Sequence, residues 1–181
     1  MTLRNITCAV TLCLLTLSGQ AVGKTEVPPY KNKSLSIEKR VDDLMGRMTL
    51  REKVLQLQNR GAGRLDEIDR IFNGESYGCT HEMGTTAAEC AAMYKELQQY
   101  MLTKTRLGIP IITSAEGIQG ILQNNCTLFP HALAQGSTFN PALIQRMTEA
   151  AGEEAKVIGI HQILSPVLDI ARELRWGRVE E

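Results

Sequence analysis

Two short segments of the sequence hold side chains that suit recognition of a polar ligand. Residues 113–120 read Thr-Ser-Ala-Glu-Gly-Ile-Gln-Gly and place Glu116 among small residues. Residues 165–178 contain Asp169, three arginines and the only tryptophan of the chain, Trp176. Carboxylate oxygens accept hydrogen bonds from hydroxyl groups, and a guanidinium donates to hydroxyl oxygens in a fixed fork. These residue types therefore suit an uncharged polyol, and an aromatic ring suits the apolar face of a sugar.

Each of these residues also has an ordinary structural interpretation. Glu116 would serve as a solvated loop carboxylate, and Asp169 with Arg172 or Arg175 as an ion pair that holds a loop. A tryptophan beside arginines is often a packing and cation–π element. The sequence has no P-loop, dinucleotide-binding, zinc-protease or Ser-His-Asp signature. On the residues alone, the prediction stops at a polar cleft of carboxylates and arginines.

The pattern around these segments predicts an α/β fold. A Thr-x-x-Glu capping box opens a helix over residues 86–106, and the apolar run 109–113 predicts a buried strand. An Asn-Pro pair at 140–141 begins another helix, and residues 158–168 are a second buried apolar run. Strand, helix and strand form the βαβ unit of a parallel sheet, whose ligands bind beyond the carboxyl ends of the strands. Both polar segments follow directly after a predicted strand.

Two further helices are predicted closer to the amino end. Residues 36–48 have apolar side chains on one helical face and charged side chains on the other. A second capping box, formed by Thr49 and Glu52, begins the next helix.

Composition excludes several classes of function. The chain has 20 basic and 20 acidic side chains, so it has no net charge to attract a nucleic acid, and no nucleic-acid partner is predicted. With 43% hydrophobic residues it can bury a core. Cys79, Cys90 and Cys126 have no metal-ligand spacing, so neither a metal site nor a disulfide scaffold is predicted. Two alternatives remain open for these three cysteines. Either two of them form a disulfide and one is a free thiol, or all three are small buried side chains.

The first 23 residues are typical of a secretory signal peptide. Arg4 precedes an uncharged apolar stretch over residues 6–17, and Ala-Val-Gly at 21–23 precedes Lys24. The stretch is too short for a membrane-spanning helix, which needs about 20 apolar residues. We therefore expect cleavage before Lys24, export to the periplasm or the extracellular medium, and no membrane span in the mature chain. Residues 24–35 are predicted to form an extended lead-in.

Residues 36–181 resemble the N-terminal domain of glycoside hydrolase family three, the family of β-glucosidases and β-xylosidases. The similar stretches are residues 41–53, 106–110, 129–130 with 139–141 and, most specific, 166–172 followed by 175–181. This resemblance implies a (β/α)8 TIM-type barrel, of which the chain holds the N-terminal portion only. Residues 109–113 and 160–168 would then be two inner strands of that barrel.

The resemblance also implies roles for individual residues. Glu116, where many members have Asp, would bind hydroxyls of the innermost sugar, and Gln119 stands where many members have His. Arg175, with Arg178 as second choice, would bind the same sugar, and Asp169 would orient their loop. The family's retaining chemistry uses a nucleophilic carboxylate and an acid/base carboxylate, and needs no cofactor. Both carboxylates are implied to lie beyond Glu181, so no catalytic residue is assigned within the chain.

The predicted function is that of an exported retaining exo-β-glycosidase in carbohydrate metabolism. It would be of β-glucosidase or β-xylosidase type, with a β-linked oligosaccharide or glycoside as substrate. The 181 residues are interpreted as a fragment that is inactive without nucleophile and acid/base. The alternative is a non-catalytic sugar-binding or partner-binding remnant of such a domain.

Overall fold

The structure is a computed structural model that describes residues 27–81 and 85–180. The predicted signal peptide lies outside the described residues. The chain divides into two units between Asp43 and Leu44, and the structure describes residues 27–43 of the first and residues 44–81 and 85–180 of the second. Within the described ranges no helix is both long enough and apolar enough to cross a membrane.

The described part of the first unit is a short turn followed by the start of a helix. Pro29–Lys31 form one 3-10 turn, and helix α1, Ile37–Arg47, begins six residues later and continues into the second unit. The Tyr30 backbone N–H donates to the Asp43 carboxylate at 3.1 Å, and Arg40 Nε donates to the Tyr30 carbonyl at 3.0 Å. The predicted helix is confirmed, but no residue of α1 is buried.

Local capping starts three helices of the second unit where the sequence predicts them. Helices α2, Leu50–Leu55, and α4, Ala87–Lys104, both follow a complete Thr-x-x-Glu capping box. Helix α6, Pro141–Ile158, follows Asn140, whose Oδ1 accepts from the Leu143 N–H at 3.0 Å. Two shorter helices, α3 at Ile68–Phe72 and α5 at Ala132–Gly136, complete the helical set of the described residues.

The core of the second unit lies between α4, α6 and a small sheet. Helix α4 contributes the largest share, with six buried side chains that recur at helical spacing along one face: Cys90, Met93, Tyr94, Leu97, Tyr100 and Met101. The hydroxyl of Tyr94 donates to the Ser114 carbonyl at 3.3 Å and so joins α4 to the central strand.

The sheet has three parallel strands in sequential order. These are β1, Cys79–His81, β2, Ile112–Glu116, and β3, Gln162–Leu164, with β2 in the centre. Thr80 pairs with Thr113, and Ser114 pairs with Gln162. Helices α4 and α6 form the two crossovers, so the prediction of an α/β fold with a parallel sheet is confirmed.

Strand positions differ from the sequence prediction. The predicted strand 109–113 is observed at Ile112–Glu116, three residues later. Pro110 has no N–H for a strand ladder, and pairing begins only where the Ile112 N–H donates to the Gly78 carbonyl at 3.0 Å. Strand β1 was not predicted, because Cys-Thr-His has neither an apolar run nor an alternating pattern.

The prediction that residues 158–168 form one buried apolar strand is wrong. Ile158 ends helix α6, because Gly159 adopts a left-handed conformation with φ of +90°. Only Gln162–Leu164 form a strand, and Leu168 is 85% exposed. A short apolar run does not distinguish a helix end from a strand, and here it contains both.

Candidate functional site

Glu116 is the last residue of β2 and lies at the carboxyl end of the sheet. It is half-buried, yet its carboxylate makes no hydrogen bond or ion pair with any residue among 27–81 and 85–180. By contrast, Glu52, Glu75 and Glu173 each pair with an arginine. A half-buried carboxylate normally has hydrogen-bond partners. The open acceptor positions of Glu116 are therefore available to a ligand.

The loop after Glu116 is held against neighbouring chain segments. The Phe129 N–H donates to the Gln119 carbonyl at 2.8 Å. Gly120 has φ of +100°, and a Cβ at this position would overlap the Thr127 carbonyl oxygen. A Cβ on Gly117 would overlap a side chain of β3. The glycines thus allow the loop to pack closely against neighbouring chain segments, and this packing fixes the backbone beside Glu116.

A cavity of about 230 Å³ lies over this loop. Glu116 and Arg178 contribute its charged groups. The full lining is Glu116, Gly117, Ile118, Gln119, Gly120, Leu122, His131 and Arg178. Nothing in the spacing of His131 along the sequence indicates a site, so its place in this lining is decided by the tertiary structure.

A second, larger cavity of about 580 Å³ shares Glu116 and Arg178 with the first. Asp169, Trp176 and the chain leading out of β3 also line it. Trp176 is half-buried, whereas the residues beside it are exposed. The structure therefore brings Glu116, Asp169, Arg178 and Trp176 together at the carboxyl end of the sheet, where the parallel-sheet rule places a ligand.

Arg175 lines neither cavity. Its Nη2 lies 2.8 Å from Glu173 Oε2 and its Nε lies 2.9 Å from Glu173 Oε1, with the arginine side chain 89% exposed. The Arg175 guanidinium, followed by the Arg175 backbone N–H, lowers the pKa of Glu173 to about 2. Of the two arginines assigned to the sugar, the structure thus places Arg178 against the cavities and Arg175 in an exposed ion pair.

None of the three described cysteines lines either of these cavities. Cys79, Cys90 and Cys126 are unbridged thiols, and Cys90 is buried. Burial, followed by the nearby Glu154 carboxylate, raises the pKa of the Cys126 thiol. Among the residues that the structure describes, no three His, Cys, Asp or Glu side chains are grouped so as to hold a metal ion.

Comparison with known proteins supports one family. Residues 49–181 match the family model of the glycosyl hydrolase family 3 N terminal domain. A putative β-xylosidase of Formosa agariphila is 33% identical over an alignment that covers 87% of this chain and 22% of that protein. The β-glucosidase C of Emericella nidulans is 33% identical, with coverage of 84% and 28%.

A solved structure of a β-glucosidase from Erythrobacter marinus matches with a TM-score of 0.67 at 29% identity, covering 84% of this chain and 21% of that one. This chain spans 22% and 28% of the length of the two curated relatives. The family model covers well over half of the residues and includes both cavities. The chain therefore belongs to glycosyl hydrolase family 3, through its N-terminal domain.

Proposed function

We propose that this chain is the sugar-binding part of an exported, retaining exo-β-glycosidase of β-glucosidase or β-xylosidase type. The observation that carries the proposal is the half-buried, unpaired carboxylate of Glu116, which lines the same two cavities as Arg178. Glu116 accepts hydrogen bonds from sugar hydroxyls, and Arg178 donates to hydroxyl oxygens. Asp169 lines the larger cavity, and its role in orienting the loop that carries Arg178 is proposed from the family resemblance.

The dimensions of the cavities suit an exo-acting enzyme. The smaller cavity, about 230 Å³, is below the roughly 300–1,000 Å³ of pockets for drug-sized ligands and is of the size of one pyranose ring. The larger cavity contains Trp176, whose ring offers a flat apolar surface to a sugar face. One ring in the smaller cavity with the rest of the glycoside in the larger one accounts for both volumes.

The three strands are proposed to belong to a (β/α)8 barrel. They are parallel, follow one another in sequential order, and are joined by helical crossovers. Doubly wound open sheets reverse their strand order at a switch point, whereas barrels continue in one direction. The order β1-β2-β3 is the one that a barrel requires. Because one half of a doubly wound sheet has the same order, the family resemblance carries the choice of the barrel.

Hydrolysis is proposed to need residues outside these 181. Retaining enzymes use two carboxyl groups about 5–5.5 Å apart, one as nucleophile and one as acid/base. The family resemblance assigns both to positions after Glu181, and the chain spans only 22% of one curated relative and 28% of another. The 181-residue chain alone is therefore expected to bind a sugar without cleaving a glycoside.

The test is a titration of the 181-residue chain with D-glucose and D-xylose, followed by nuclear magnetic resonance. Hydrogen bonds to a charged group contribute about 1.5–3 kcal/mol, so Glu116→Gln is expected to raise the Kd at least about tenfold. Glu153→Gln, an exposed carboxylate of α6 that lines neither cavity, is the matched control and leaves the Kd unchanged.

Two results would contradict the proposal. One is that the chain binds neither sugar. The other is that the Glu116→Gln and Glu153→Gln variants bind sugar equally, which would show that Glu116 does not contact the sugar. In a parallel assay, p-nitrophenyl β-D-glucoside and β-D-xyloside are expected to release no nitrophenol. Release by the purified chain would place the catalytic carboxylates within the 181 residues.

A further inference from the structure

We infer that His131 is a further sugar-contacting residue of this site, and that its imidazole hydrogen-bonds a hydroxyl of the pyranose ring. The inference rests on the proposed function. His131 lines the 230 Å³ cavity together with Glu116 and Arg178. A cavity of that size places a single ring within reach of all three side chains.

The His131 side chain makes no hydrogen bond within the described residues. The residue occupies the N-cap position of the short helix α5, but its side chain makes no capping hydrogen bond. The cap residues Thr86 and Asn140, by contrast, both accept a backbone N–H with their side chains. Across residues 27–81 and 85–180 the His131 imidazole has no hydrogen-bond partner.

The other two histidines differ from His131 in this respect. His161 Nδ1 lies 2.7 Å from the Thr113 hydroxyl, and His81 Nδ1 lies 3.4 Å from the Ser114 hydroxyl. Both contacts connect neighbouring strands of the sheet, and neither histidine lines the cavity. Among the described residues, an imidazole that faces the sugar cavity without a protein partner is therefore found at His131 alone.

The backbone around His131 is fixed although its side chain is unpaired. The His131 carbonyl accepts from the Gln135 N–H at 3.0 Å, and Gln135 Nε2 donates to the Pro130 carbonyl at 2.7 Å. Two residues before His131, the Phe129 N–H donates to the Gln119 carbonyl in the loop that follows Glu116. These backbone contacts fix the position of His131 in the lining of the cavity, and its exposed imidazole has both nitrogens available to a ligand.

The chemistry of imidazole complements the two charged groups. A carboxylate only accepts hydrogen bonds and a guanidinium only donates them, whereas neutral imidazole donates at one nitrogen and accepts at the other. A sugar hydroxyl both donates and accepts. Like the Gln119 amide in the same lining, the His131 imidazole is therefore able to take either role toward a hydroxyl that Glu116 and Arg178 leave half satisfied.

The experiment titrates the 181-residue chain with D-glucose and with its 1-, 2-, 3-, 4- and 6-deoxy analogues, followed by nuclear magnetic resonance. His131→Ala is compared with His131→Gln, which retains a donor and an acceptor. Leu133→Ala, a 73% exposed residue of the same helix that does not line the cavity, is the control. Because a net neutral hydrogen bond contributes about 1 kcal/mol, His131→Ala is expected to weaken glucose binding about fivefold.

The deoxy series distinguishes a direct contact from an effect on loop shape. For one analogue, wild type and His131→Ala are expected to bind equally, because that analogue lacks the contacted hydroxyl. His131→Gln is expected to restore part of the affinity, and Leu133→Ala to stay within twofold of wild type.

Three results would overturn the inference. One is glucose binding that depends on Glu116 but is unchanged by His131→Ala, which leaves the proposed function intact. Another is an equal loss for glucose and all five analogues, which indicates an indirect effect. The third is absence of sugar binding by the wild-type chain, which overturns the proposed function as well.

Discussion

Replacing Glu52 by glutamine removes one charge from an ion pair that connects three segments of the second unit. The Glu52 carboxylate accepts from Arg106 Nε at 2.8 Å, from Arg106 Nη2, and from the Thr49 N–H of the α2 capping box. Arg106 also donates to the Arg47 carbonyl at 2.9 Å. Since Arg106 lies between α4 and β2, the pair connects α2 to the chain that leads into the strand of Glu116. Glutamine retains an oxygen for the capping box, so the substitution tests the charge.

The magnitude follows from the acidity of Glu52. Hydrogen bonding by the Arg106 guanidinium, opposed by burial and supported by Thr49, lowers the pKa of Glu52 from 4.5 to about 2. At about 1.36 kcal/mol per pKa unit, this difference corresponds to about 3 kcal/mol at pH 7 before solvent screening. The side chains of Arg106 and Glu52 are 55% and 25% exposed, so solvent screens their attraction. We therefore expect Glu52→Gln to lower the free energy of unfolding by about 1–2 kcal/mol.

The sign of the pH dependence follows from the lowered pKa. A carboxylate that is more acidic in the folded state stabilises the protein above its unfolded pKa of 4.5, and this stabilisation is lost as the pH falls toward about 2. At pH 3 more than half of the stabilisation by the Glu52 carboxylate is lost. The difference between wild type and the Glu52→Gln variant should shrink accordingly between pH 7 and pH 3.

The assay is urea unfolding followed by circular dichroism at the two pH values. Glu89→Gln is the matched control, because Glu89 occupies the same capping-box position in α4 but forms no ion pair among the described residues. A smaller loss of stability is expected for this control at pH 7. Equal losses in the two variants, or a Glu52→Gln loss that does not change with pH, would refute the reasoning.

Four other predictions concern the loop after Glu116, helix α6, Trp176 and the signal peptide. Gly120→Ala is expected to lower the free energy of unfolding by more than about 1 kcal/mol, because φ is +100° and the Cβ meets a carbonyl oxygen. Gly152→Ala, in open space within α6, is expected to raise it by about 0.5–1 kcal/mol in the same urea assay. Glucose titration is expected to change the emission of Trp176, and an unchanged spectrum counts against its place in the sugar site. Exported protein is expected to begin at Lys24 by mass spectrometry, and an intact leader would contradict the signal peptide.

Helix starts were predictable because their determinants are close together in sequence. The capping boxes at Thr49 and Thr86, and the Asn140 cap, satisfy backbone N–H groups two or three residues away. The buried face of α4 was predictable for the same reason, since a 3.6-residue period assigns its side chains to one side. These features need no knowledge of the distant chain.

Strand positions depended on distant partners. Strand β2 begins at Ile112 because its ladder starts against Gly78, more than thirty residues earlier in the chain. The register with β3 then places Glu116 opposite Leu164 at the end of the sheet. No periodicity within residues 109–116 contains that information, because strand register is set by pairing between segments.

The sequence by itself determined the α/β class, the helix starts, the family resemblance and the two polar segments that supply the candidate site. Only the tertiary structure decided which of their side chains meet. Arg175 pairs with Glu173 in solvent, whereas Arg178 lines the cavities with Glu116, and His131 comes to the same cavity from another segment. The physical reason is the sequence separation over which each interaction acts. Capping and helical periodicity act within a few residues, whereas a cavity is formed by packing between segments far apart in the chain.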